Sequence, residues 1–317
     1  MAVRKEEVKK LNRKLMDFLD HSVNAFFAVE NMREILLKEG FHPLYEGEDW
    51  KLESGEKYFV TRNDSALIAF VLPKKPIKGF QMMASHSDSP VFKVKTDPEI
   101  EVDKAYIQLN VEKYGGMICS PWLDRPLSVA GRVLLRTAKG VETRLLNIDR
   151  DLLIIPNLAI HMNREVNDGY KFNAQKDMLP LFSTEEGKGS FKKIVAEALS
   201  VKEECILDWD LFLYNRQKAT LLGAEEEFIG SGRLDDLQCA FASLQGILSA
   251  KPKDSVAVHC VYDNEEVGSG TKQGAGSTFL KDVLHRILAA FHGGEEEFIK
   301  ALQNSFLISA DNAHAVH

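Results

Sequence analysis

Four short segments of the chain carry histidine or acidic residues of the kind that bind divalent metals in hydrolytic enzymes. They are SHSDSP with His86 and Asp88, GRLDD with Asp235, DNEEVGSG with Glu265 and Glu266, and SADNAHAVH with Asp311. Imidazole and carboxylate groups bind zinc, and a two-metal hydrolase needs one carboxylate that bridges ions about 3.5 to 4 Å apart. The adjacent like charges of the glutamate pair would also be relieved by a cation. Together the segments predict a metal-assisted hydrolytic site.

Each segment taken alone has a simpler interpretation. An isolated histidine or acidic pair is usually a solvated surface group or a satisfied core residue. The acidic runs at residues 225–227 and 295–297 flank helices or turns, and we interpret both as solvated faces. The four cysteines lie far apart without a CxxC pair, which argues against a disulfide framework and against a thiolate zinc site. Any metal would therefore use histidine and carboxylate ligands.

The elements that must position these side chains follow from the spacing of apolar residues. Helical spacing from Val8 to Leu37 predicts two helices, broken near residues 21–24 and ended by Gly40. Short runs at residues 57–61, 66–72 and 80–84 predict strands, and the last of them leads directly into SHSDSP. Because side chains two apart on a strand point the same way, His86 and Asp88 are expected to emerge together at a strand end.

The pattern changes after Pro90 to many short strand-like runs, which predict an inserted domain. Helical spacing returns at residues 191–199, 236–248 and 279–291, with strand-like runs at 255–262 and 306–310. This alternation favours an α/β sandwich with a largely parallel sheet. Because 317 residues exceed the usual size of one domain, two domains are expected. From the changes of pattern, we assign residues 1–92 and 222–317 to a discontinuous catalytic domain and 93–221 to a β-rich insert.

Charge and hydropathy argue against two classes of partner, nucleic acid and membranes. The net charge is -7, so the chain has no basic field that would attract nucleic acid. No apolar run reaches the roughly 18 to 20 residues that a membrane span requires, and the first residues are charged. We therefore expect neither nucleic acid nor membrane as a partner, and a cytoplasmic location.

The four segments, in this order, resemble the metal-site motifs of the M18 family of metalloaminopeptidases, which includes aspartyl aminopeptidase and aminopeptidase I. The stretches WKLESGEKYFVTRN, YGGMICSPWLDRPLSVAGRV and IPNLAIHMNREVNDGYKFN resemble the family as well, so the likeness extends from about Phe18 to His317. It implies a zinc-peptidase-like α/β/α sandwich with a mixed sheet, interrupted by a β-rich dimerisation domain. It also implies a homo-oligomer built from dimers, typically a dodecamer.

The resemblance implies two Zn²⁺ ions per subunit, with Mn²⁺ or Co²⁺ as alternatives because the same ligands suit all three. The metal ligands would be His86 and Asp311 on the first ion, the bridging Asp235, and Glu266 on the second ion. Glu265 would be the general base that takes a proton from the attacking water. Asp88 would orient the His86 ring.

Two further features rest on the resemblance. His161, in LAIHMNR, would reach across a subunit interface and stabilise the oxyanion, whereas the simpler interpretation is a packed or surface histidine. The bond between Asp235 and Asp236 resembles a cis peptide of this clan. The implied reaction removes one N-terminal residue from a peptide, and both acidic-preferring and leucine-preferring members resemble the sequence.

The sequence also departs from the family. Its members continue well past residue 317 and carry a last metal-ligand histidine near their C-terminus. We therefore expect the second metal to lack one ligand and some apolar faces of the catalytic domain to stay uncovered. Two alternatives remain open: a catalytically impaired, truncated scaffold subunit that retains one metal at most, and another two-metal hydrolase of the same clan, such as a carboxypeptidase or deacylase.

Overall fold

The computed structural model describes residues 2–316, in which two helices are followed by a long run of strands and then by helices and strands in mixed order. The helices are α1 Ala2–His21, α2 Ala25–Lys38, α3 Val166–Gly169, α4 Ala174–Asp177, α5 Ser190–Ala198, α6 Leu234–Leu248, α7 Phe279–Ala290 and α8 Glu295–Gln303. The strands are β1 His42–Leu44, β2 Lys57–Arg62, β3 Ala66–Val71, β4 Gly79–His86, β5 Val91–Val102, β6 Tyr106–Tyr114, β7 Leu127–Thr137, β8 Gly140–Asn147, β9 Leu181–Thr184, β10 Ile206–Asn215, β11 Thr220–Leu222, β12 Phe228–Gly230, β13 Ser255–Tyr262 and β14 Phe306–Ser309. The predicted mixed α/β fold is confirmed.

The chain forms two compact units. One unit contains the residues up to Ser89 and those from Ala219 onward, and the other runs from Pro90 to Lys218. Each unit has its own six-stranded sheet. Among the described helices, none is both long and apolar enough to cross a membrane.

The sheet of the first unit has the order β1-β2-β3-β13-β4-β14. Strands β13, β4 and β14 run parallel to one another, while β3 runs antiparallel to both β2 and β13. The prediction of a largely parallel sheet was therefore wrong around β3. The reason is local: a short turn in which Asn63 and Asp64 both adopt left-handed backbone conformations connects β2 directly to β3 as a hairpin.

Helices cover both faces of this sheet, and each face has its own hydrophobic cluster. One cluster packs α1, α2 and α6 against apolar side chains of β2, β3 and β13. The other packs α7 and α8 against the opposite faces of β2, β3, β4 and β13. Every side chain of β3 is buried, as expected of a strand with helices on both sides. The result is the three-layer sandwich that the sequence predicts.

The helix boundaries near the N-terminus are confirmed and have simple causes. The Asn24 side chain caps α2 by accepting a hydrogen bond from the backbone N–H of Phe27 at 3.2 Å. Gly40, with φ of 78°, follows the end of α2, where a left-handed residue commonly closes a helix. The two helices present the apolar faces that cover one side of the sheet.

The second unit is built on an antiparallel sheet of order β8-β7-β10-β5-β6-β9. Helix α5 packs Phe191 and Val195 into its core. The carboxylate of Glu99 on β5 accepts hydrogen bonds from backbone N–H groups at the start of α5, at 2.5 Å from Gly189 and 2.8 Å from Phe191. A carboxylate at this end of a helix is favourable because unpaired N–H groups and the helix dipole meet there.

Strand β14 is an edge strand of the first sheet and pairs with β4. Its apolar side chains are exposed. Phe306, Leu307 and Ile308 expose 62%, 40% and 49% of their surface. Consecutive residues of a strand point to opposite faces, so both faces of β14 are open.

His259 on β13 is a buried histidine on the sheet face that α6 covers. Its Nδ1 lies 2.8 Å from the Ser243 hydroxyl, which itself donates to the Ala240 carbonyl at 3.1 Å. The ring is 1% exposed, and within residues 2–316 its Nε2 has no hydrogen-bond partner. Burial lowers the pKa of His259 to about 3, so the ring stays neutral in the folded protein.

We predict that this histidine makes the fold sensitive to acid. Between pH 6.5 and 3 the unfolded chain binds a proton at this position and the folded chain does not, so stability is complete above pH 6.5 and falls as the pH is lowered. From pH 7 to pH 5 the loss is about 2 kcal/mol in the free energy of unfolding. His259→Gln should remove that part of the pH dependence in urea unfolding curves. Equal pH dependence in His259→Gln and in a variant of the exposed His42, His42→Gln, would contradict the prediction.

Candidate metal centre

Three parallel strands end at the same edge of the first sheet, and each delivers a residue of the predicted site there. Strand β4 ends at His86, which is paired with Tyr262 at the end of β13. Strand β14 is paired with β4 up to Ser309 and Ala84, so Asp311 and His86 both stand two residues further on. Glu265 and Glu266 follow β13 in a short helical turn, Glu265–Val267. The carboxyl ends of parallel strands are a common place for ligand sites, and here they gather the side chains.

The imidazole of His86 is the buried centre of the cluster. It is 4% exposed, and its Nδ1 lies 3.1 Å from the backbone oxygen and 3.3 Å from the carboxylate of Asp88. The other ring nitrogen, Nε2, faces the carboxylates of Asp235 at 3.5 Å, Glu265 at 3.9 Å and Asp311 at 3.9 Å. With the Nδ1 proton on the side of Asp88, the Nε2 lone pair points toward these acidic groups.

The start of α6 brings Asp235 to this cluster. Its backbone oxygen accepts a hydrogen bond from the Ser89 hydroxyl at 2.9 Å, which ties it to the segment after β4. Arg233, just before α6, donates to the backbone oxygens of Leu19 and Ser22 at 3.0 Å each. The peptide bond between Asp235 and Asp236 is cis, as the family resemblance implies.

Asp88 holds the two glutamates by their backbone. Its carboxylate oxygens accept hydrogen bonds from the backbone N–H groups of Glu265 and Glu266, both at 3.2 Å. The same carboxylate lies against His86, and Asp88 is itself 3% exposed. One buried carboxylate thus fixes the histidine and the glutamate turn relative to each other.

The pKa values of the cluster show how negative this environment is. Burial alone lowers the pKa of His86, but the hydrogen bond and charge of Asp88, with the charges of Asp236 and Glu265, outweigh burial and raise it to about 9. Burial raises the pKa of Glu266 to about 7, reinforced by the charge of Asp88. Burial also raises the pKa of Asp235, and its hydrogen bond with Asp311 adds to this. Crowded carboxylates of this kind are stabilised by a cation.

The donor set fits a divalent metal. Ligand atoms of His86, Asp235 and Asp311 all lie within 4.8 Å of one another, close enough to reach one ion. One imidazole and two carboxylates are a common combination for zinc and for similar metals. Glu266 lies outside this trio, although its pKa responds to the charges of His86 and Asp235.

The structure thus brings six of the seven predicted site residues into one region and leaves His161 in the other unit. His161 lies on an exposed turn after β8, where Leu158, Ile160 and Met162 also expose 59%, 50% and 74% of their surface. The subunit-bridging role of His161 stays a prediction.

Sequence reasoning missed two residues that organise the site. Asp236 is fully buried and accepts the backbone N–H of His86 at 3.1 Å through Oδ2, while its Oδ1 has no hydrogen-bond partner among the described residues. Burial raises the pKa of Asp236 to about 6. Asn264 precedes the glutamates in a left-handed conformation and accepts two side-chain hydrogen bonds. The sequence offered one signal for each residue. Asp236 forms an acidic pair with Asp235 at the start of α6, and Asn264 directly precedes the paired glutamates.

The sequence match identifies the family to which this site belongs. Over residues 18–317 the chain matches the Aminopeptidase I zinc metalloprotease (M18) family. The chain belongs to this family, whose members are metal-dependent aminopeptidases. It is 48% identical over 313 residues to the probable M18 family aminopeptidase 2 of Clostridium acetobutylicum, covering 96% of this chain and 72% of that protein.

Solved structures agree. A chain in the cryo-EM structure of the Ape4 and Nbr1 complex has a TM-score of 0.92 and 37% identity, covering 98% of this chain and 64% of that chain. The S. cerevisiae mApe1 dodecamer has a TM-score of 0.83 and 27% identity, covering 96% of this chain and 72% of that chain. The chain therefore spans about two thirds to three quarters of the length of these relatives.

Proposed function

We propose that this chain is a two-metal aminopeptidase that removes the N-terminal residue of peptides. The observation that carries the proposal is the convergence of His86, Asp235 and Asp311 within 4.8 Å, with the glutamate pair beside them, in a member of the M18 family. Separate chain segments deliver these groups to one sheet edge. A solvated acidic surface would not need the buried histidine at its centre.

The chain's own side chains would be divided between two ions, with fewer protein ligands on the second. His86 and Asp311 would hold the first ion, Asp235 would bridge, and Glu266 would hold the second. When bound, zinc, manganese or cobalt lowers the pKa of water and polarises the peptide carbonyl. The raised pKa values of Asp235 and Glu266 support this assignment, because both carboxylates lie where added negative charge is unfavourable without a cation.

Glu265 is the proposed proton carrier. Its side chain is 48% exposed, and its Oε2 lies 3.9 Å from Nε2 of His86, so the carboxylate borders the metal-binding groups and can still meet substrate. In this role Glu265 takes a proton from the attacking water and then delivers it to the leaving amine. Carboxylate charge that borders the metals would hold the free N-terminal amine of a peptide there, which favours cleavage at that end.

We further propose that His161 acts in a homo-oligomer, by donating a hydrogen bond to the oxyanion in the site of a neighbouring subunit. The exposed apolar residues beside it are typical of a surface that packs against another protein. The mApe1 relative forms a dodecamer. A cytoplasmic location and the absence of nucleic-acid partners remain part of this proposal.

Release of amino acids from defined peptides tests the function. Purified protein supplied with Zn²⁺, Mn²⁺ or Co²⁺ is incubated with peptides that begin with Asp, Glu or Leu, and products are followed by mass spectrometry. We expect one residue at a time to leave the free amino end, and no cleavage of the same peptides after N-terminal acetylation. Cleavage of acetylated peptides would support the carboxypeptidase or deacylase alternative. Folded protein that binds at most one metal and releases nothing would support the scaffold alternative.

A further inference from the structure

Asn264 stands between the buried end of β13 and the glutamate pair, and its contacts reach in two directions. Its backbone is left-handed, with φ of 63°, and leads directly into the turn that carries Glu265 and Glu266. Its side-chain oxygen Oδ1 accepts hydrogen bonds from the Thr271 hydroxyl and the Gln273 amide, both at 2.7 Å. Asn264 thus connects the glutamate turn to a stretch seven to nine residues further along the chain.

That stretch belongs to a closed loop, which we call the 263–277 loop. Its two arms are joined at the base, where the Asp263 N–H donates to the Gln273 carbonyl at 3.2 Å. Inside the loop, Ser269 donates to the Asn264 carbonyl at 2.8 Å and accepts from the Gly276 N–H at 3.1 Å. A Cβ at Gly274 would lie 2.3 Å from the Ser269 carbonyl oxygen, so the arms pack without spare room.

The far side of the loop is anchored to the body of the first unit. Arg62, which is 8% exposed, donates to the Lys272 carbonyl at 3.4 Å and is paired with the carboxylates of Glu46 and Asp282. The loop therefore has one fixed end at Arg62. The Asn264 side chain connects the glutamate turn to this anchored stretch, because its Oδ1 accepts hydrogen bonds from Thr271 and Gln273, the neighbours of Lys272.

We propose that Asn264 is a positioning residue, which holds Glu265 and Glu266 toward the metal-binding groups through the hydrogen bonds of its Oδ1 to Thr271 and Gln273. This inference rests on the proposed function and names a further residue that the reaction requires. Asp88 fixes the backbone N–H groups of the two glutamates from one side. Asn264 restrains the turn through its own side chain, so the carboxylates keep one direction.

Substitution by glycine tests the side chain of Asn264 without changing the backbone conformation at this position. Glycine adopts positive φ without strain, so Asn264→Gly keeps the turn and removes the side-chain amide, including the Oδ1 acceptor. Asn264→Asp keeps an acceptor for both donors and also tolerates the left-handed region. The matched control is Asn63→Gly, which makes the same change at a left-handed asparagine in the β2–β3 turn, with φ of 57°.

The test measures metal affinity and kinetics for these three variants. For Asn264→Gly we expect the weakest Zn²⁺ equivalent of the wild-type protein to bind about 10- to 100-fold more weakly, which is typical of losing support behind a ligand. We expect kcat to fall by a similar factor with KM nearly unchanged, because substrate binding elsewhere is untouched. Asn264→Asp and Asn63→Gly should keep wild-type zinc affinity and kcat within about threefold.

Wild-type zinc affinity and kcat in Asn264→Gly would overturn the inference. So would equal losses in Asn264→Gly and Asn264→Asp, because the acceptor would then not be the cause. Zinc titration does not depend on turnover: if the wild-type protein binds zinc but releases no amino acid, the proposed function fails while the titration of Asn264→Gly still decides the role of Asn264. A wild-type protein that binds no zinc would contradict both.

Discussion

Replacing Glu265 by glutamine is expected to lower kcat for release of an N-terminal residue by about 10²- to 10⁴-fold, the usual contribution of a general base. Glutamine keeps the size of the side chain but cannot accept the proton of the attacking water. KM should stay within about threefold, because the interaction is made in the transition state and not with bound substrate. Initial rates on a peptide with the preferred first residue, at saturating metal, measure both constants.

The matched control for this variant is Glu203→Gln, which removes a charge from an exposed glutamate of the second unit. It should behave as wild type. Zinc content of Glu265→Gln should also equal that of wild type, because the carboxylate is proposed to carry protons and not to bind metal. A Glu265→Gln protein that retains full kcat would remove Glu265 from the mechanism, and one that loses zinc would make it a ligand.

Replacing Asp235 by asparagine is expected to weaken zinc binding by at least about 100-fold for one equivalent, and to abolish measurable activity. Its carboxylate is the proposed bridge, so the charge it supplies would be shared by both ions. An amide of the same size leaves the ions without that charge. In the unchanged protein, Oδ1 of Asp235 lies 3.5 Å from Nε2 of His86, so both could reach the same ion without a large rearrangement.

Equilibrium dialysis against buffered zinc, followed by elemental analysis, gives affinity and stoichiometry for Asp235→Asn. The exposed Asp97 provides the control variant Asp97→Asn, for which two equivalents at wild-type affinity are expected. Circular dichroism should show the same helix content in both variants. If Asp235→Asn keeps both equivalents at wild-type affinity, Asp235 does not bridge the ions.

The helices and strands of the first unit could largely be predicted from sequence, because their signals are local. The apolar run before His86 predicts a buried strand, and a strand end fixes where the next polar side chains emerge. The position of β13 between β3 and β4 could not be predicted, since nothing in residues 255–262 specifies which partner they will meet. The antiparallel setting of β3 follows from a hairpin turn that a general strand–helix alternation does not reveal.

The same contrast applies to the metal centre. His86, Asp235 and Asp311 could be proposed because their types and motifs carry the chemistry, and the structure brings them together. Asp236 acts through a hydrogen bond to His86, which is distant in sequence, and Asn264 acts through hydrogen bonds within its own loop. No spacing rule encodes either contact. His259 is similar: in an apolar strand it occupies a core position, and only burial in three dimensions sets its pKa.

The place of β13 determines the order in which the protein can fold during synthesis. Strands β3 and β4 are neighbours in sequence but leave a gap between them that residues 255–262 must fill. Contacts so far apart in sequence form slowly, and until they form the two strands keep unpaired edges. In the nascent chain, the edges of β3 and β4 that face this gap therefore stay without their native partner until residues 255–262 have been made.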